Sequence, residues 1–263
     1  VPVNALVSER DDPEALIESR SVEITRADKS TENLRVSAER QLTYPDGSMR
    51  MVDGVKVTVV ERPDRSGFVL TGAEARVKAD QTEVLLTDRV RLLSNDGFEA
   101  EAGEALYNKN NGVVLMPGEA VFTRGSMRAS GVGAEYDRNR SRLLLLNDAR
   151  VRLVGDAITT EIASQSATLS EADGHMIFEG NVTLKTPNKL MQADMARVKF
   201  QEGNFGSQLQ ALSLLGKANI SSDELVAGGL REMTAKDIWL GYDKSGQVVQ
   251  LANLTGGASV EFY

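Results

Sequence analysis

Hydrophobic residues alternate with polar ones in short stretches that recur along the chain. The stretches centre on seven small or turn-forming residues: Asp53, Asp88, Gly118, Asn147, Gly180, Gly216 and Gly256. In every copy the positions two and four residues before and after the centre are apolar, if alanine is counted, whereas the odd positions are mostly polar. Successive side chains of a β-strand point to opposite faces, so this period of two predicts strands with one apolar face.

A second strand precedes each of these strands and is joined to it by a polar turn. The segments GEALYNKNNG (103–112) and VGAEYDRNRS (132–141) share one outline, in which alanine is followed two residues later by tyrosine and then by a turn. Asp, Asn and Gly tolerate the backbone angles of turns. Each unit is therefore predicted to be a β-hairpin, and because one hairpin cannot bury its apolar face alone, the hairpins are expected to stack.

The repeat also predicts where the strands deviate from regular geometry. Gly, Asp and Asn are poor strand formers, so a bend or bulge is expected at each of the seven centres. No long helix is predicted; residues 9–20 fit a short helical turn or a linker. The register loosens between residues 221 and 236, which predicts an irregular loop there.

Three segments are predicted from the position of the repeats. They are a linker at 1–20, a β unit at 21–155 and a second β unit at 156–263. Because the alternation runs through residue 155, one continuous stack and two abutting halves fit the sequence equally well. The predicted fold class is all-β, with repeated antiparallel hairpins stacked on one another.

Composition excludes several classes of function. The net charge of −8 argues against a nucleic-acid partner, because such proteins usually present a basic face. The chain has no cysteine and a single histidine, so thiolate chemistry and multi-histidine metal sites are excluded. No catalytic residues, no metal site and no cofactor are predicted.

The repeated outline resembles a known family. Alanine, tyrosine and aspartate before a turn, followed by an apolar strand with Gly-x-Val-x-Leu, look like the OstA-like repeat of the periplasmic lipopolysaccharide-transport (Lpt) proteins. The best matches are GEALYNKNNGVVLMPGEAVF (103–122), GAEYDRNRSRLLLLNDARVRL (133–153) and SATLSEADGHMIFEGNVTLKT (166–186).

The first part of the chain resembles LptC in particular, and the remainder resembles an LptA-like continuation. The stretches that carry this resemblance are VEITRAD (22–28), LRVSAERQLTYPDG (34–47) and FVLTGAEARV (68–77). The chain departs from LptC in being several strands longer and in lacking the N-terminal membrane helix usual in that family.

The resemblance implies an open β-jelly-roll, or β-taco, in which acyl chains of lipopolysaccharide lie in a groove between two sheets. It implies a periplasmic carrier that relays lipopolysaccharide from the inner-membrane transporter toward the outer membrane, anchored to the inner membrane by an N-terminal segment absent from this chain. The implied partners are lipopolysaccharide or a related lipid, other Lpt bridge proteins paired through edge strands, and the inner-membrane ABC transporter complex.

The apolar columns supply the candidate groove. Its predicted lining is Met51, Val55, Val57, Leu86, Val90, Leu92, Met116, Phe122, Leu145, Val151, Phe178, Val182, Leu184, Leu214 and Ile220. The same columns also fit a closed core. The alternatives to the lipid carrier are therefore a β-helical carbohydrate-binding protein and a structural β-scaffold with a dry interior.

Overall fold

Strands make up nearly all of the regular structure in the computed structural model, which describes residues 12–26, 34–60, 67–155, 158–201 and 208–263. The strands of the first half are β1 (Ile17–Arg26), β2 (Leu34–Thr43), β3 (Met49–Val59), β4 (Phe68–Val77), β5 (Glu83–Ser94), β6 (Glu99–Asn108), β7 (Val113–Arg124), β8 (Met127–Asp137) and β9 (Arg142–Val154).

The strands of the second half are similar in length, except where the chain is interrupted at a bend. They are β10 (Thr159–Ser164), β11 (Ser166–Ser170), β12 (His175–Thr186), β13 (Lys189–Phe200), β14 (Leu209–Ser222), β15 (Leu230–Tyr242), β16 (Val249–Thr255) and β17 (Ser259–Phe262). A short 3₁₀ turn, Arg138–Arg140, joins β8 to β9.

The strands pair antiparallel with their neighbours in the chain and form one continuous sheet. Each strand from β1 to β9 pairs with the next, and β9 then pairs with both β10 and β11, which in turn pair with β12. The same order continues to β15, which pairs with β16 and β17. This confirms the all-β, antiparallel prediction. It excludes a β-helix, whose strands run parallel.

The predicted bends occur at all seven centres. The pairing register shifts beside six of them. At the seventh, Gly256, the strand is interrupted, and this interruption separates β16 from β17. Asp53 and Gly54 have φ angles of 63° and 65°, and Gly180 and Asn181 have φ angles of 80° and 50°. Two successive left-handed residues turn a strand sharply, and Gly, Asn and Asp are the residues that adopt this conformation at least cost.

The bends divide the sheet into two walls. Wall A comprises residues 17–20, 40–43, 49–52, 74–77, 83–87, 104–108, 113–116, 132–137, 142–147, 166–170, 175–179, 195–200, 209–215, 237–242 and 249–255. Wall B comprises residues 22–26, 34–37, 55–59, 68–72, 90–94, 99–102, 119–124, 127–131, 149–154, 159–164, 182–186, 189–193, 218–222, 230–235 and 259–262.

The walls face each other and enclose one hydrophobic core. Alternate residues on both walls are buried and belong to a single cluster that runs from Leu34 to Leu240. The bends form one long side of the stack, and described turn regions of the two walls, such as those at Phe98 and Tyr136 and at Arg124 and Glu171, meet on the opposite side, which we call the mouth. A jelly-roll folded in this way buries the inner faces of β2 to β15.

Two local expectations differ from the structure. Residues 1–11 of the predicted linker lie outside the described residues, but 17–20 are already strand, because they pair with 40–43 of β2. The irregular loop is confined to residues 223–229, since β15 starts at Leu230. In the described part of the chain, no helix has the length and apolar character required to cross a membrane.

Candidate functional site

All fifteen residues predicted to line the interior lie on the inner faces of the walls. Those of wall A are Met51, Leu86, Met116, Leu145, Phe178 and Leu214, and those of wall B are Val55, Val57, Val90, Leu92, Phe122, Val151, Val182, Leu184 and Ile220. The bend between the two halves of a long strand allows apolar residues on both sides of it to face inward.

These side chains are closed to water in this structure. Leu184 is the most exposed of them at 5%, and Met51, Leu86 and Phe178 are 0% exposed. The walls therefore pack against each other along the predicted lining. Methionine suits such a surface because its unbranched side chain repacks at little cost.

Aromatic side chains connect the two walls near the mouth. Phe68 of wall B meets Tyr107 of wall A edge-to-face, with ring centroids 5.3 Å apart. Phe98, in the turn after β5 of wall B, stacks on Tyr136 of wall A at 4.5 Å and on Phe122 of its own wall at 5.7 Å. Because the Phe68–Tyr107 and Phe98–Tyr136 pairs join one wall to the other, they hold the two walls together at the mouth.

Charged side chains join the walls at the same place. Arg124, the last residue of β7 in wall B, donates a hydrogen bond from Nη1 to Oε2 of Glu171, in the turn that follows β11 of wall A. Its Nη2 lies 3.7 Å from Oδ2 of Asp96 in the turn after β5. The guanidinium of Arg138 lies over the ring of Phe68, with Cζ 5.7 Å from the centroid.

A cavity of about 20 Å³ lies behind these contacts. Its lining includes Phe98, Arg124, Tyr136 and Leu143. The cavity has room for a single water molecule. Burial, reinforced by the charge of Asp96, raises the pKa of Tyr136 to about 12, so the phenol stays neutral at physiological pH.

A larger cavity, of about 580 Å³, lies on the outer side of wall A. It is lined by charged residues, among them Arg50, Arg76 and Lys78, and by apolar residues such as Leu85 and Leu106. The cations are already engaged with carboxylates, because Arg50 and Arg76 share Glu74 at 2.7 Å and 3.2 Å and Lys78 lies 2.5 Å from Glu83. The bond from Arg50 is the main reason why the pKa of Glu74 lies below its ordinary value.

Arginines on the outer face of wall B are paired with carboxylates. Arg91 and Arg152 lie on the outer face of wall B, where they pair with Glu101 at 3.3 Å and Glu161 at 3.9 Å. Across the described ranges, no group of three or more His, Asp or Glu side chains is placed to hold a metal ion.

The sequence reasoning missed the residues at the mouth. Tyr107 and Tyr136 belong to the repeated Ala-x-Tyr outline, so their period of two was a usable signal that they face inward. Phe98 and Glu171 lie in turns and have no periodic signal. Their pairing with the opposite wall depends on how the sheet folds.

Two family models match the chain, and together they cover most of it. The model described as "Lipopolysaccharide-assembly, LptC-related" matches residues 6–154. The model described as "LptA/(LptD N-terminal domain) LPS transport protein" matches residues 161–260. No curated protein matches the chain significantly.

Proposed function

Because this chain belongs to the LptC-related family of lipopolysaccharide-assembly proteins, we propose that it holds the acyl chains of lipopolysaccharide between its walls and passes them along. Both matched families serve lipopolysaccharide transport in the periplasm, and their members are carriers and not enzymes. That this particular chain binds the acyl chains and relays them is our proposal.

The observation that carries the proposal is the continuous apolar inner face of both walls. It runs through every strand from β2 to β15 and contains the fifteen predicted residues. Burying a CH₂ group contributes roughly 0.8 kcal/mol, so an acyl chain of about twelve to fourteen carbons gains on the order of 10 kcal/mol before losses. The face is therefore chemically suited to acyl chains.

The repeat explains how a tightly held lipid still moves. Each hairpin presents the same kinds of side chain at the same positions, so a lipid passes between sites of nearly equal free energy. Movement along the stack then needs no large energy input within this protein. The energy is supplied by the ATP-driven inner-membrane transporter, which is the proposed donor of the lipid.

The two ends of the sheet are the proposed contacts with other Lpt proteins. Within the described residues, β1 pairs only with β2, and β17 pairs only with β15. Phe262 of β17 is 63% exposed and Leu251 of β16 is 53% exposed. An open edge strand carries unpaired backbone groups that template pairing with another strand, and such pairing would continue the walls into a neighbouring jelly-roll.

The domain arrangement and the membrane anchor belong to the same proposal. We favour one continuous stack over two abutting halves, because β9 pairs with β10 and β11 across the predicted boundary. Anchoring to the inner membrane through an N-terminal segment stays a prediction.

Site-specific photo-crosslinking tests the acyl-chain proposal. A benzophenone amino acid at Phe178, which is 0% exposed on the inner face of β12, is expected to label lipopolysaccharide. The matched control is Ile177, the preceding residue, whose side chain lies on the outer face of the same strand. A second inward position, Leu145, should label as Phe178 does.

The closed packing of the interior favours one competing function, a structural β-scaffold. In that case the walls never separate, and neither Phe178 nor Leu145 labels lipopolysaccharide although circular dichroism shows the variants to be folded. That result would reject the carrier proposal.

A further inference from the structure

At the mouth, near the turns on either side of β8, an aromatic contact and an ion pair join the two walls. Phe98 stacks on Tyr136 with planes 18° apart, and Arg124 joins Asp96 of its own wall to Glu171 of the opposite wall. We infer that Phe98, Arg124, Tyr136 and Glu171 form a latch that controls entry of acyl chains between the walls. This inference rests on the proposed function.

The latch has an apolar inner part and a polar outer part. Phe98 and Tyr136 are 4% and 5% exposed. The side chains of Arg124 and Glu171 are 22% and 26% exposed, so water and competing ions reach their ion pair. The ion pair is therefore the part that opens first, and the aromatic stack then separates and admits an apolar chain.

The position of the latch explains why it governs entry. The small cavity behind it is lined by Met127, Leu143 and Leu169, which continue the apolar inner face. A chain that enters sideways between the hairpin turns must pass between Phe98 and Tyr136 before it reaches these residues. Separating the two rings opens a path to the core without disturbing the backbone pairing within either wall.

Opening is measured without lipid by the alkylation rate of a buried thiol. The native chain has no cysteine, so Leu143→Cys, at a site 3% exposed behind the latch, introduces a unique thiol. Glu171→Gln removes the ion pair without changing side-chain size. Combined with Leu143→Cys, it is expected to raise the maleimide labelling rate about tenfold, as the loss of one charge-assisted hydrogen bond predicts. Phe98→Ala should do the same by removing the stack.

Two controls separate latch opening from general loosening. Glu101→Gln removes an ion pair of similar kind, to Arg91 at 3.3 Å, on the outer face of wall B and should leave the labelling rate unchanged. Gly180→Ala lowers stability at a bend, away from the latch. This variant shows how much the labelling rate rises when stability alone is lost. The urea midpoint of each variant is measured for comparison.

A second measurement links the latch to lipid. Stopped-flow uptake of a fluorescent fatty acid should be about tenfold faster in the Glu171→Gln and Phe98→Ala variants than in the wild type. Conversely, Phe98→Cys combined with Tyr136→Cys and joined by a short reducible bis-thiol reagent should block uptake, and reduction should restore it.

The outcomes distinguish the latch from the carrier proposal. If the fatty acid binds at the same rate to wild type and latch variants, or if crosslinked protein takes it up normally, the latch inference is rejected and the carrier proposal stands. If no protein binds lipid, the carrier proposal and lipid gating both fail. The latch then survives as a conformational device only if Glu171→Gln still accelerates thiol labelling.

Discussion

Single residues at the bends decide how this chain folds. A left-handed φ occurs at five of the seven centres: Asp53, Asp88, Gly180, Gly216 and Gly256. Glycine, aspartate and asparagine are the residue types that enter this region most readily. Gly180 has a φ of 80°, and an added Cβ would lie 2.2 Å from Oε1 of Gln165. Gly118, at the same place in its own repeat, has open space around it and no left-handed φ.

Substitution at these two glycines should therefore give different results. Gly180→Ala is expected to lower the free energy of unfolding by about 1–2 kcal/mol, since alanine resists the left-handed conformation. Gly118→Ala should leave it unchanged within about 0.5 kcal/mol. Urea unfolding followed by circular dichroism measures both, and equal losses would contradict the assignment of the bend at Gly180.

One buried and one partly buried tyrosine predict loss of stability at alkaline pH. Burial raises the pKa of Tyr136 and of Tyr242 to about 12, above the ordinary value of 10.0; at Tyr136 the charge of Asp96 adds to this, while Arg124 and Arg138 oppose it. Between these pH values the unfolded chain releases protons that the folded chain keeps. The free energy of unfolding therefore falls as pH rises from about 10 to about 12, by roughly 2–3 kcal/mol per tyrosine.

Urea titrations at stepped pH test this dependence. Tyr242→Phe, which removes one phenol, should reduce the alkaline loss while keeping the ring. A wild-type midpoint that stays constant between pH 10 and pH 12 would show that these hydroxyls are not buried.

At the scale of the element, each long strand belongs to both walls. The alternation that predicts a strand also predicts which residues face inward, and for β3, β5 and β12 the buried positions agree with it on both sides of the bend. The partner of each strand follows as well, because hairpins pair neighbours in the chain. The contact between Phe98 and Tyr136 does not follow, because Phe98 lies in the turn between β5 and β6, and neither of these strands pairs with β8.

The strand at the predicted boundary should couple the two parts of the molecule. Leu145 of β9 lies opposite Ala134 of β8 and Ala167 of β11, so it packs beside strands from both parts of the molecule. Leu145→Ala is expected to lower stability by about 2–5 kcal/mol. The urea midpoint measured from the fluorescence of Trp239, the single tryptophan, should fall in this variant as well.

The fluorescence of Trp239 decides between the two arrangements. Trp239 lies in β15, in the second half of the chain, far from β9 in the order of strands. If its midpoint stays at the wild-type value while the circular dichroism transition shifts, the halves unfold independently and the continuous stack is wrong.

For the whole molecule, the sheet is open at its ends and closed at its mouth. The proposed contact with an LptA-type protein uses the end at β17. A photo-reactive residue at Phe262, 63% exposed on this edge strand, should crosslink a purified LptA-type partner. Leu115, 40% exposed but on a central strand, is the matched control and should not. Equal labelling at both positions would argue for non-specific hydrophobic contact.

The sequence alone determined the class of fold, the inward residues, the hairpins and the bends. These depend on local properties, namely the period of two and the backbone preferences of Gly, Asp and Asn, which are written in neighbouring residues. Only the tertiary structure decided that the walls close over the inner face and that Arg124 meets Glu171 across the mouth. Such contacts join residues far apart in the chain, and their existence depends on the angle at which every bend folds one wall onto the other.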